Sequence, residues 1–209
     1  MSVAASLPMD DVFARARQRL AHIAPGSGAV EGEAVMNPEF EPPPGFRARP
    51  AAVLIPIVGR AAPTVLMTRR TATMRRHAGQ IAFPGGAIDP EDSDAAAAAI
   101  REAQEEVGLE PSLVEPLGRL DPYIAPTGFH ITPVVARVDP GHHLVLNPRE
   151  VDLAFEVPLA FLMNPANHRI GSRVLDGARR SFYEMPYDDH YIWGITAGII
   201  RGLYERLFA

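Results

Sequence analysis

Cysteine is absent from the sequence, which rules out disulfides, thiolate nucleophiles and zinc–thiolate sites. No apolar run approaches the ~18 residues that a membrane span requires. The opening segment, MSVAASLPMDDVFARARQRL, has no basic stretch followed by an apolar one, so it does not read as a secretory signal. These absences set the expectation of a cytoplasmic protein with no membrane partner. Charge of one sign is nowhere gathered in a block, and 25 acidic against 20 basic residues leave a formal net charge of −5. Binding to polyanions needs a basic surface, so nucleic acid is not an expected partner. A local basic patch for a small phosphorylated ligand is compatible with that balance. There is no internal repeat, and no Ser-His-Asp order on which to build a nucleophilic triad.

What is present suffices for one substantial core: 209 residues, 47% of them hydrophobic, make a single main domain the default. Residues 9–23 read as a short amphipathic helix. Residues 25–50 are rich in Gly, Pro and Glu, and the run Glu41-Pro42-Pro43-Pro44-Gly45 cannot continue a helix or a central strand. Residues 1–50 are therefore read as an N-terminal helix and linker, and residues 51–209 as the main domain. Within it, 52–58 and 64–68 form a predicted hairpin turned around 59–63.

Residues 94–107 carry the clearest helical pattern. Alanine is the strongest helix former, and Ala96, Ile100, Ala103 and Val107 fall on one face. Ser93 or Asp92 is placed to cap the start, and Gly108 to end the helix. Further strands are expected at 117–123, 131–138 and 151–157. A terminal helix is expected at 194–208, with Ile195, Ile199, Leu203 and Leu207 as its buried stripe. Clustered strands around two helices suggest an α/β sandwich on a mixed sheet rather than regular βαβ winding.

The chemistry concentrates in Arg101-Glu102-Ala103-Gln104-Glu105-Glu106-Val107-Gly108-Leu109. On a helix, Glu102, Glu105 and Glu106 stand at i, i+3 and i+4 and share a face, expected to lie opposite the apolar stripe. A hard divalent cation suits such a cluster, because Mg²⁺ takes oxygen ligands and keeps several waters. A solvated acidic helix face is the plainer alternative. Upstream, Gly85 and Gly86 let backbone turn tightly or approach a ligand closely, and a backbone carbonyl there could add a metal ligand.

Together these segments resemble the Nudix box, G-x5-E-x7-R-E-U-x-E-E-x-G-U with U apolar. Arg101, Glu102, Ala103, Glu105, Glu106, Gly108 and Leu109 all match its second half. The resemblance implies a Nudix-type α/β/α sandwich around a mixed β-sheet, with Glu102, Glu105 and Glu106 as ligands of Mg²⁺ or Mn²⁺. It casts Arg101 as the residue that positions the glutamates by salt bridge. It also makes Glu102, or Glu150 from outside the box, the residue that orients or deprotonates the attacking water. Glu156 is the rival to Glu150, and strand alternation would point both to one face. The first half of the box departs from the pattern. Its glutamate should fall at Ser93 and its glycine at Ala87, because the connection here is one residue longer. Gly86, Glu91, Asp92 and Asp94 stand near the expected places. In the family that glutamate mainly holds the box arginine, so the acid that pairs with Arg101 is open.

The segment before the box resembles the signature of the coenzyme A pyrophosphatase branch, LLTxR(S/A)x3Rx3Gx3FPGG. Thr68, Arg70, Arg75, Gly79 and Phe83 through Gly86 match, while Met67 and Thr71 are mild substitutions. The resemblance implies coenzyme A or an acyl-CoA as substrate, giving adenosine 3′,5′-bisphosphate and (acyl-)4′-phosphopantetheine. Arg70, Arg75, Gly85 and Gly86 are the expected substrate contacts, since arginine's planar fork suits phosphate oxygens. Pairing of Arg70 and Arg75 with acids of the box is the alternative. A Nudix hydrolase of ADP-ribose, NADH or another nucleoside diphosphate derivative is the nearest rival reading. A non-catalytic nucleotide-binding Nudix module is the rival from another class, and such modules typically lose box glutamates. His142-His143 reads as a surface turn. Trp193 and Tyr191 read as core or dimer-interface residues, with base stacking as the alternative. A homodimer is compatible with the apolar surface that Trp193 and the terminal helix offer.

Overall fold

The computed structural model describes residues 9–20, 31–32, 36–37, 48–72, 78–125, 128–175 and 177–209. The elements are α1 (Met9–Leu20), β1 (Glu31–Gly32), β2 (Arg49–Val58), β3 (Thr64–Arg70), β4 (Ile81–Ala82), β5 (Gly85–Ala87), α2 (Ala95–Val107), β6 (Val114–Arg119), β7 (Tyr123–Ala125), β8 (Phe129–Val138), β9 (Val151–Pro158), the single turn α3 (Leu159–Leu162), β10 (Arg169–Leu175), β11 (Ala178–Tyr187), β12 (His190–Trp193) and α4 (Gly194–Phe208). Among the described residues, no helix is long and apolar enough to cross a membrane.

β2 organises the main sheet. It runs parallel to β8 along its whole length, from Arg49 opposite Phe129 to Val58 opposite Val138. It also pairs antiparallel with β3 and β5, while β9 pairs with β3 and β6 with β8. Parallel and antiparallel ladders thus share one nine-stranded sheet. Side chains alternate across a strand, and β2 feeds two cores. Ala51, Ile55 and Ile57 enter the cluster that holds α1, α3 and α4. Ala52, Leu54 and Val58 enter the cluster that holds α2. Helices therefore cover both faces, as the resemblance implied.

The expected hairpin of β2 and β3 is present, as are the terminal helix and the helix ended by Gly108, which sits left-handed at φ 68°, ψ 21°. Three readings are corrected. The cap of α2 is Asp94, whose side chain accepts from the Ala97 N–H at 2.8 Å, which leaves Asp92 for other work. The buried stripe of α2 is Ala98, Ala99, Ala103, Glu106 and Val107, with Ala96 and Ile100 at its margins. The strand expected at 117–123 is split into β6 and β7; Pro122, which has no N–H to donate, falls in the break. A second, three-stranded sheet of β10, β11 and β12 had no counterpart in the reading of the sequence. Its one strong local signal is the Asp176-Gly177 pair, a favoured hairpin turn.

Candidate active site

The carboxylates of α2 do not share one exposed face. Their side-chain exposure falls in steps, from 56% for Glu105 to 15% for Glu102 and 3% for Glu106. Glu106 lies within the buried stripe instead of opposite it, because each helical step turns about 100° and places position 106 about 20° around the axis from position 99. The cluster thus straddles the border between core and solvent.

Each glutamate faces an arginine. The Arg101 guanidinium donates through Nη1 to Glu102 at 3.0 Å and to Glu105 at 3.3 Å. Its other edge answers the question left by the longer box. Nε and Nη2 grip the two Asp92 oxygens, each at 3.0 Å, and Nη2 also reaches the Ala87 carbonyl at 3.2 Å. Asp92 in turn accepts from the Asp89 N–H at 2.8 Å, so one carboxylate both closes the turn and clamps the arginine. The Arg101 hydrogen bonds hold the Asp92 carboxyl below its usual range. Arg70, at the end of β3, approaches Glu106 at 3.5 Å. Its Nε is buried with no hydrogen-bond partner among the described residues.

Burial dominates the titration of the inner pair. Glu106 is pushed up to about 7 by loss of solvent, an effect that Arg70 offsets in part and that the neighbouring charges of Glu102 and Glu150 reinforce. A hydrogen bond from the Gly85 backbone favours its charged form. Glu102 is raised for the same first reason, with Arg101 opposing and Glu105 and Glu150 adding to the rise. Glu150 therefore lies within electrostatic reach of both, on a turn just before β9. Glu156, its rival, lies elsewhere: it pairs with Arg60 at 2.6 Å and accepts from Thr64.

The glycines have steric reasons. A Cβ at Gly86 would stand 2.5 Å from a Glu102 carboxylate oxygen, and one at Gly85 would collide with the backbone of β2 at Ala52 and Val53. Only bare backbone fits between β2 and the Glu102 carboxylate. Phe83 is buried in the core, which is a packing role. Trp193 lies beside Phe182, and Arg173 stacks on it at 4.4 Å. Arg75 lies outside the described residues. Among the described residues, no three His, Asp or Glu side chains stand close enough to grip an ion as they are; each glutamate is turned to its arginine. The donor set is nonetheless all oxygen, with glycine backbone at its rim, and that chemistry fits a hard divalent cation.

A mixed sheet sandwiched by helices, with a Glu-rich helix on one face and a Gly-Gly strand set against the Glu102 carboxylate, is the framework of a pyrophosphatase. The chain belongs to the Nudix family: the NUDIX domain model matches residues 48–174. It is a Nudix hydrolase acting on a pyrophosphate bond, and enzymes of this family generally use divalent metal ions. The chain is 43% identical over 170 residues to a protein of Photorhabdus laumondii, covering 79% of this chain and 91% of that one. It is 44% identical over 155 residues to one of Escherichia coli K12, covering 74% and 81%. Both carry the name uncharacterized Nudix hydrolase NudL. The NUDIX domain of Shewanella oneidensis NrtR, solved with ADP ribose, is similar in fold, with a TM-score of 0.50 and 17% identity over 84% of this chain and 98% of that one.

Proposed function

We propose that this enzyme cleaves the pyrophosphate of coenzyme A or an acyl-CoA, releasing adenosine 3′,5′-bisphosphate and (acyl-)4′-phosphopantetheine. The observation that carries this reading is Arg70. The first arginine matched in the upstream signature stands at the carboxylate cluster, 3.5 Å from Glu106, with one buried N–H that has no partner among the described residues. A phosphate oxygen is the natural acceptor for such a group.

Glu102, Glu105 and Glu106 hold Mg²⁺ or Mn²⁺, which when bound neutralises phosphate charge and lowers the pKa of water. Arg101, fixed on its far edge by Asp92, sets the directions of Glu102 and Glu105. Glu102 or Glu150 accepts the proton of the attacking water. The water oxygen then bonds to phosphorus as the bridging P–O bond breaks. Gly85 and Gly86 keep the approach to the glutamates clear of side chains, and Arg70 and Arg75 contact the phosphates.

Incubation of the purified protein with coenzyme A, ADP-ribose and NADH in parallel, with Mg²⁺ or Mn²⁺ and analysis by mass spectrometry, tests the reading. Adenosine 3′,5′-bisphosphate and phosphopantetheine should appear fastest. Faster turnover of ADP-ribose or NADH would overturn the coenzyme A assignment and keep the cluster's role. No turnover of any of the three would count against the substrate class as a whole.

A further inference from the structure

Glu150 owes its place to residues outside the Nudix box. It closes a tight turn that begins at Asn147, and that turn is tied down on two sides. The Asn147 N–H donates to the Glu106 carbonyl and the Val145 N–H to the Val107 carbonyl, both at 2.9 Å. These are among the last carbonyls of α2, which a helix end leaves without internal partners. From the other side, the Thr71 N–H donates to the Glu150 carbonyl at 2.9 Å, and the Thr71 hydroxyl reaches the Arg149 carbonyl at 3.4 Å. The turn therefore bridges the end of the glutamate helix and the end of the strand that carries Arg70.

The Asn147 side chain is used twice within that turn. Its Oδ1 accepts from the Arg149 N–H at 3.2 Å, and its Nδ2 donates to Glu150 Oε1 at 3.2 Å. An amide offers an acceptor and a donor on opposite arms, so closing the turn with one arm aims the other at the carboxylate. The donor is neutral, so it directs Glu150 without adding a competing cation beside Glu102 and Glu106. Pro148 follows, and the residue before a proline is confined to extended backbone, which lowers the cost of holding this geometry.

We propose that Asn147 is a positioning residue for pyrophosphate hydrolysis, holding the Glu150 carboxylate toward the Glu102 and Glu106 side of the site. The proposal rests on the reading that Glu150 acts at the scissile phosphates. Asn147→Ser keeps a short acceptor for the turn and cannot reach Glu150. Measured on whichever of coenzyme A, ADP-ribose and NADH turns over fastest, it should lower kcat by about 10- to 100-fold. KM should move much less, and the melting temperature should be retained. Should the serine variant fold poorly, Asn147→Asp closes the same turn with an acceptor facing Glu150, and the same loss is expected.

The coupling to Glu150 decides the matter. In a Glu150→Gln background, Asn147→Ser should cause no further loss of kcat. Mn²⁺ affinity, titrated directly by EPR, should be no lower in the double variant than in Glu150→Gln alone. Multiplicative losses, or a normal kcat for Asn147→Ser beside a slow Glu150→Gln, would overturn the positioning role and leave Glu150 standing. A normal kcat for Glu150→Gln itself would remove the Glu150 reading, and the proposal with it.

Discussion

At the scale of single residues, Glu106 has the most unusual environment. Its pKa, pushed up to about 7, lies well above that of an unfolded glutamate, about 4.3. The fold therefore favours its neutral form. Below about pH 4 the group is protonated folded or unfolded and does not affect stability; as pH rises through 7 the folded state must accept a buried charge and stability is lost. In chelator-containing buffer at pH 8, Glu106→Gln should stabilise the protein by on the order of 1–3 kcal/mol in denaturant unfolding. The gain should shrink at pH 5, while turnover, assayed separately with saturating Mn²⁺, falls by orders of magnitude at both. An equal stability at pH 8 would mean that the carboxylate is not buried as a charge. The identities and spacing of Glu102, Glu105 and Glu106 were legible in the sequence. Their graded burial was not, because a pattern of charged letters suggests an exposed face and only the packing of Ala99, Ala103 and Val107 against the sheet draws Glu106 inward.

At the scale of elements, the connection between β5 and α2 distributes two tasks between two aspartates. Asp94 caps the helix, and Asp92 holds the arginine that orients the glutamates. The longer connection made the expected partner of Arg101 unreadable, since several acids fell within one or two positions of the right place. Geometry selects Asp92 because its two carboxylate oxygens pair with Nε and Nη2 along one edge of the fork while it closes the turn to Asp89. Asp92→Asn keeps an oxygen for the Asp89 N–H but loses the paired, charge-assisted grip on Arg101. Freed on that edge, Arg101 should compete with the cation for Glu102. The expected result is a kcat/KM lower by about 10- to 100-fold, recovered in part at high Mn²⁺, with the melting temperature little changed. A titration of rate against Mn²⁺ checks this, and a loss that no metal concentration relieves would separate Asp92 from metal binding. The strands with β-branched apolar runs were legible in the same way as the glutamates, from local pattern. The second sheet was not, because β10 alternates Ile170 and Val174, both exposed, with glycine and arginine, and shows no buried period.

At the scale of the whole molecule, the sheet separates stability from chemistry. The glutamate helix packs on one face, and α1 with α4 packs on the other. Composition sets the first residues apart from the domain, yet Val12, Phe13, Ala16 and Leu20 are buried in the larger cluster. Arg15 and Arg19 donate to carbonyls of Leu207, Arg206 and Ala209 at the end of α4, a position where cations are favoured by the helix dipole. These contacts join the two ends of the chain, and no local reading of either end could find them. Leu20 is the sharpest probe, since it fills the space left by Gly118, where a Cβ would stand 2.5 Å from the Leu20 Cβ. Leu20→Ala should cost about 2–5 kcal/mol of unfolding free energy, read from denaturant midpoints at constant slope. The folded variant should keep its kcat, because nothing of the carboxylate cluster lies on that face. A loss below about 0.5 kcal/mol, the range of ordinary surface substitutions, would show that α1 contributes little to the core. A fall in kcat at full folding would show instead that the two faces of the sheet are coupled.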